Sequence, residues 1–197
     1  MTPETEKLNL LLKKVRKCTE CSNHLPLGPR PVLSASTTAR VAIIGQAPGA
    51  RVHESGIPWD DPSGDRLREW LGVDKKTFYD GSRIAIIPMG FCYPGKGKSG
   101  DLPPRPECAP LWHGEIFSHL KQIRLILLVG QYSQAYYLGK DQKETLTHTV
   151  RAWKEYAPRY FPLPHPSPRN NIWLKKNPWF EKNAVPKLRD IVSGLNS

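Results

Sequence analysis

The sequence contains four cysteines, and they fall into two unequal pairs. Cys18 and Cys21 form a C-x2-C turn, whereas Cys92 and Cys108 bracket the fifteen residues of "YPGKGKSGDLPPRPE". A C-x2-C turn presents two thiolates to one metal centre. Fifteen intervening residues cannot form a second compact chelating turn, so a folded excursion must bring Cys108 back beside Cys92. Zinc ribbons use two tight knuckles, and the asymmetry therefore favours a cubane [4Fe–4S] cluster, with zinc as the alternative metal. The Gly-, Pro- and Lys-rich stretch then reads as a flap tied at both ends, its lysines facing outward. Such a centre would pin three chain segments together, and a structural rather than redox role is expected. The plainer reading is four ordinary thiols behaving as small hydrophobes.

Three further clusters combine unusual residues with an unusual location: "GQAPG" (45–49), "PMGFCYPG" (88–95) and "HPSPRN" (165–170). Each begins where a short apolar run ends. Those runs are 41–45, 83–91, 124–130 and 159–165, the last interrupted by prolines, and they read as strands. Helical patterns are expected at 4–17, where Leu8, Leu11, Leu12 and Val15 share a face, and at 63–72, 106–121, 131–139 and 178–194. Alternation of this kind gives an α/β fold, a three-layer αβα sandwich around a four-stranded parallel sheet, in one domain spanning 1–197. Ligands of open α/β sheets bind beyond the carboxyl ends of the strands, where the three clusters sit. Taken singly, each cluster is equally a Gly/Pro turn.

Composition narrows the partner. Lys and Arg number 29 against 18 Asp and Glu, a formal net charge of +11, which favours a polyanion such as nucleic acid over a generally basic solvated surface. There is no apolar run of membrane-spanning length and no signal-peptide pattern at the N-terminus. A cytoplasmic protein acting as a monomer, away from the membrane, is the expectation. Structural disulfides are not expected in that compartment.

Residues 41–59, "VAIIGQAPGARVHESGIPW", resemble the first motif of the uracil-DNA glycosylase superfamily. The segment "HPSPRN" resembles that superfamily's second motif in its single-strand-selective monofunctional form. The cysteine spacing is similar to that of the iron–sulfur branches, families 4 and 5, and "LLVGQYSQAYYL" (127–138) to their third strand and following helix.

The resemblance implies a base-excision-repair enzyme that binds single- or double-stranded DNA, flips a deaminated base from the stack and hydrolyses its N-glycosidic bond. It assigns His165 as the hydrogen-bond donor to the O2 of the departing base, and Trp59 as the aromatic that stacks on the base. It places the Gly45, Gln46 and Ala47 backbone at the carbonyl edge of the base. Ser167, Arg169 and Asn170 fall on the loop that meets DNA. The water-positioning acid seen in some branches after the first glycine is replaced here by Gln46, leaving Asp61, then Asp60, as the candidate carboxylates. The plain reading of these two is helix N-capping; that of Trp59 is core packing; that of Ser167 is closing a turn. Where many members carry a base-reading Asn this chain has Pro88 and Met89, leaving open another deaminated base such as hypoxanthine or xanthine. No lysine stands in a Schiff-base context, so a monofunctional hydrolase is expected rather than a lyase. The competing reading is a non-catalytic iron–sulfur protein that binds nucleic acid on the same scaffold.

Overall fold

The computed structural model describes residues 2–98 and 100–196. Its sheet contains β1 (Val41–Ile44), β2 (Ile84–Ile86), β3 (Leu125–Val129) and β4 (Tyr160–Leu163), ordered β2-β1-β3-β4 with every pair parallel. The α/β sandwich expected from the sequence is present. Alternation along the strands explains why both faces are covered. Ala42, Ile44, Ala85, Ile126 and Leu128 enter one core, while Val41, Ile43, Ile84, Ile86, Leu125 and Leu127 enter the other. A sheet buried on both faces needs apolar residues at nearly every strand position, and these strands provide them.

The first core is closed by α1 (Pro3–Arg16), α5 (Cys108–Ser118) and α6 (Gln131–Leu138). Helix α1 starts where the Thr2 hydroxyl accepts from the Thr5 N–H, carries Glu4 and Glu6 in its first turn, and has Lys13, Lys14 and Arg16 in its last. That charge order complements the helix dipole. Its buried stripe is Leu8, Leu11, Leu12 and Val15. On the opposite face lie α3 (Pro62–Leu71), α4 (Lys75–Tyr79), α7 (Leu146–Arg151) and α10 (Val185–Asn196). Three short helices complete the chain: α2 (Ala50–Ser55), α8 (Trp153–Tyr156) and α9 (Asn171–Lys176).

The second strand and the last helix are built differently from the sequence reading. The second strand was expected over 83–91, but ladder pairing ends at Ile86. Pro88 has no N–H to give, yet the extended chain still runs beside β1, with Ile87, Met89 and Gly90 donating to Ile43, Gly45 and Gln46. The last helix is split, opening with a π-helical turn at Phe180–Ala184 before α10. The outer edge of β2 is covered by residues 32–34, with Ser34 and Ile86 exchanging backbone hydrogen bonds.

Candidate active site

Beyond the carboxyl ends of the strands lies a cleft of about 440 Å³. Gly45, Gln46, Ala47, Trp59, Asp61, His165, Ser167, Arg169 and Asn170 all border it. The two motif segments, separated by more than a hundred residues of sequence, are therefore walls of one site. Asp60 is not among the lining residues; at this turn the cleft takes Asp61 instead. Val32, Ile86 and Pro88 add an apolar portion to the wall.

His165 follows β4 and is fixed by its own loop. Its Nδ1 accepts from the Ser167 backbone N–H at 3.2 Å, so in the neutral ring Nε2 carries the proton. Burial holds its pKa below the ordinary histidine value, with the Asp61 charge opposing. The ring is neutral near pH 7 and still able to donate. Its carbonyl accepts from Asn170 Nδ2 at 2.7 Å, and the Arg66 guanidinium spans the carbonyls of Pro166 and Ser167 at 3.3 and 3.2 Å. The Ser167 hydroxyl accepts from the Arg169 N–H, the turn-closing role. Behind the loop, buried Gln134 donates to the carbonyls of Leu128 and Leu163, clamping the ends of β3 and β4 together.

Trp59 adopts a left-handed backbone, φ +59°, a conformation that bulky residues rarely accept. Its carbonyl receives Arg68 Nη1 and the Tyr79 hydroxyl, each at 3.4 Å. Arg68 is only 6% exposed and also pairs with Asp65 at 2.6 Å. Gly64 completes the arrangement, because a Cβ there would collide with the Trp59 carbonyl. The indole is consequently held beside Gly45 and 5.7 Å, centroid to centroid, from the His165 ring. Asp61 serves two purposes: Oδ1 caps α3 by accepting from the Gly64 N–H at 2.8 Å, and the residue also borders the cleft.

Sequence reasoning missed Asp101, which enters the cleft from the loop between Cys92 and Cys108. It missed Arg66, Arg68 and Gln134 as well, whose polar side chains on helices read as solvent-facing. The only hint was "GDRLREW", where an arginine falls on the face that the leucines bury.

A second, small and apolar cavity has all four cysteines in its wall, together with Leu25, Pro31 and Phe91. Cys18 follows the end of α1, Cys21 precedes a short 3-10 turn, Cys92 follows β2 and Cys108 opens α5. The Phe91 N–H points to Cys108 Sγ at 3.4 Å, and the Arg30 backbone N–H bonds Cys92. Burial pushes the Cys92 thiol to about 11 and the Cys108 thiol to about 12. Among the described residues no group of three His, Cys, Asp or Glu is placed to hold a metal ion.

A parallel α/β sheet with a polar cleft across its strand ends defines an open-sheet ligand-binding protein. The family model of the Uracil DNA glycosylase superfamily matches residues 33–189, and the chain belongs to that superfamily. Members of it are DNA glycosylases. The match takes in both cleft motifs, Cys92 and Cys108, and begins after Cys18 and Cys21. Among the described residues no helix is long and apolar enough to cross a membrane.

Proposed function

We propose that the protein is a monofunctional DNA glycosylase that hydrolyses the N-glycosidic bond of uracil, or of another deaminated base, in DNA. The observation that carries this reading is the His165 imidazole. It is neutral, its tautomer is fixed by the Ser167 N–H, and its Nε2–H is left over to donate to a base in a cleft that also holds an aromatic ring and carboxylates. When the base leaves, negative charge gathers on O2 while the sugar becomes cationic. A preorganised donor at that oxygen stabilises the transition state more than the substrate. Trp59 offers a face for the extruded base, and exposed Arg169 on the cleft wall offers a phosphate contact, as does exposed Lys96 on the loop that carries Asp101.

Base identity in this reading does not come from Pro88. Its carbonyl accepts from His113 Nε2 at 3.0 Å and is committed to the interior. The backbone N–H groups of the 45–47 turn are the remaining readers of the carbonyl edge, which tolerates any base presenting one there.

The four cysteines suit a [4Fe–4S] cluster. They come from three segments around one apolar cavity, and backbone N–H groups already point at two of the sulfurs, the donors that thiolate ligands require. In that role the group would supply no chemistry to the base; it would tie α1 and the 92–108 loop to the sheet.

The test is single-turnover cleavage of single- and double-stranded oligonucleotides carrying uracil, hypoxanthine or xanthine, with alkali revealing abasic sites. The protein is to be purified anaerobically and assayed for iron, acid-labile sulfide and zinc. Cleavage of at least one substrate is the expected result. Binding without cleavage of any would instead assign a non-catalytic DNA-binding role. Stoichiometric zinc without sulfide would overturn the cluster whatever the activity.

A further inference from the structure

We propose that Asp101, carried into the cleft by the loop between Cys92 and Cys108, is the carboxylate that orients and deprotonates the attacking water. The inference rests on the glycosylase reading and asks which group performs its second half.

Only two acids border the cleft among the described residues, Asp61 and Asp101. Asp61 has one oxygen committed to the first turn of α3, so turning it toward a water costs that helix its cap. Gln46 cannot take a proton, and its amide is already used: Nε2 donates to the Leu102 carbonyl at 3.1 Å. That bond ties the first motif to the residue beside Asp101. The loop itself is held by short pairing, with the Gly97 N–H donating to Gly100, the Leu102 N–H donating to Gly95, and Lys96 bridged to Asp101 in antiparallel fashion. A carboxylate on such a paired segment is placed rather than trailing.

Its surroundings are arranged around it. A Cβ at residue 49 would stand 3.3 Å from Asp101 Oδ2, tighter than side chains normally pack, and the chain has Gly49 there. Arg169, Lys96 and Asp61 are the charged groups that act on it. The side chain as a whole is exposed, yet the cleft partly desolvates its carboxylate and raises its pKa above the ordinary aspartate value. Asp61 adds to that rise, while Arg169 and Lys96 oppose it. A carboxylate that is more basic than usual is suited to general-base work.

The step balances as a hydrolysis. The C1′–N bond breaks with its electron pair going to the base, whose O2 charge is met by His165 Nε2–H. Water oxygen forms the new bond to C1′, and one water proton passes to the Asp101 carboxylate and from there to the departed base or solvent. The products are an abasic sugar bearing a 1′-hydroxyl and the free base.

The experiment compares the parent protein with Asp101→Asn, Asp101→Ala and Asp61→Asn in single-turnover cleavage from about pH 4 to about pH 9, beside DNA affinity and thermal melting. Loss of a general base predicts that Asp101→Asn cleaves about 10²- to 10⁴-fold more slowly. Its affinity and melting should be near those of the parent, and its rate should no longer rise with pH along the acidic limb. Added formate should restore part of the Asp101→Ala rate, which a structural role would not allow. Asp61→Asn should lose melting temperature more than rate. If the parent cleaves and Asp101→Asn matches it, or keeps the acidic limb, the assignment is overturned and the glycosylase reading stands. If the parent cleaves no base, the glycosylase reading falls and the role of Asp101 falls with it.

Discussion

Two histidines in this molecule are both buried enough to be neutral, and they serve opposite ends. His113 lies inside, 2% exposed, with Nε2–H donating to the Pro88 carbonyl and Nδ1 accepting from the Tyr137 hydroxyl at 2.6 Å. Burial drives its pKa to about 4. His165 is displaced in the same direction for the same reason, yet only Nδ1 is used, by the Ser167 N–H, and no described residue receives its Nε2–H. What separates a structural imidazole from a chemical one here is therefore neither burial nor pKa. It is whether a donor is left over, facing a cleft rather than a carbonyl. The same distinction separates the two acids of the cleft, one capping a helix and the other held on a loop.

The comparison breaks most visibly at His165. His165→Ala is expected to slow single-turnover cleavage by about two to three orders of magnitude, the usual cost of one transition-state donor. DNA affinity and melting temperature should change little. A large loss of affinity with an unchanged single-turnover rate would show that the ring binds rather than catalyses.

His113 should behave in the reverse way, and pH reveals it. Above the ordinary histidine value of 6.5 the ring is neutral in both the folded and the unfolded chain, so protons do not discriminate between them. As pH falls from 6.5 towards 4, the unfolded imidazole takes a proton that the folded one refuses, and stability is lost across that window. The full displacement is worth about 3 kcal/mol. Urea unfolding at several pH values should show this loss in the parent and a flatter profile in His113→Gln, which should start less stable at neutral pH. An unaltered acid profile in the variant would place the acid sensitivity elsewhere.

Much of this was legible in the sequence for a definable reason. The inner runs "VAIIG" and "RLILLVG" are apolar at consecutive positions and end at glycine, so β1 and β3 were expected within a residue of their ends. The motif residues after β1 and β4 meet at one cleft, because strand ends gather whatever follows them. The helices α2, α4, α7, α8 and α9 were missed, being four to six residues long and too short for apolar residues to recur with helical spacing. Asp101 was invisible for a different reason: it lies in a Gly/Pro/Lys loop without periodicity, and its place in the cleft depends on contacts at Gly49 and Leu102 made only after folding. Beyond its i,i+3 pair with Asp65, Arg68 was unreadable because its other partners are a backbone carbonyl and a tyrosine hydroxyl outside its helix.

Glycine substitutions sharpen the line between scaffold and chemistry. Gly64→Ala drives a Cβ into the Trp59 carbonyl, which Arg68 and Tyr79 already hold, so the backbone must move. About 1–3 kcal/mol of stability should be lost, and cleavage should fall with it. At Gly45 a Cβ would lie 2.7 Å from Trp59 Cζ2, the far edge of a side chain that can shift. Gly45→Ala should therefore keep most of its stability while the displaced indole lowers the cleavage rate. Equal losses of stability in both variants would mean that the indole, and not only its carbonyl, is part of the fold's support.

The smallest change tests the division most directly. Tyr137→Phe removes the hydroxyl that donates to His113 Nδ1 and leaves that nitrogen buried without a donor. A lost neutral hydrogen bond of this kind costs about 1 kcal/mol, readable as a small shift in urea midpoint with an unchanged slope. Cleavage should be unaffected, since His113 reaches the cleft only through the carbonyl of Pro88, and that bond remains. A tenfold slower variant would carry a different lesson. It would mean that the hydroxyl sets the His113 ring, the ring sets Pro88, and Pro88 sets the wall against which the base is held. The interior histidine would then be a positioning residue of the active site, and the separation between the two imidazoles would be one of distance rather than of kind.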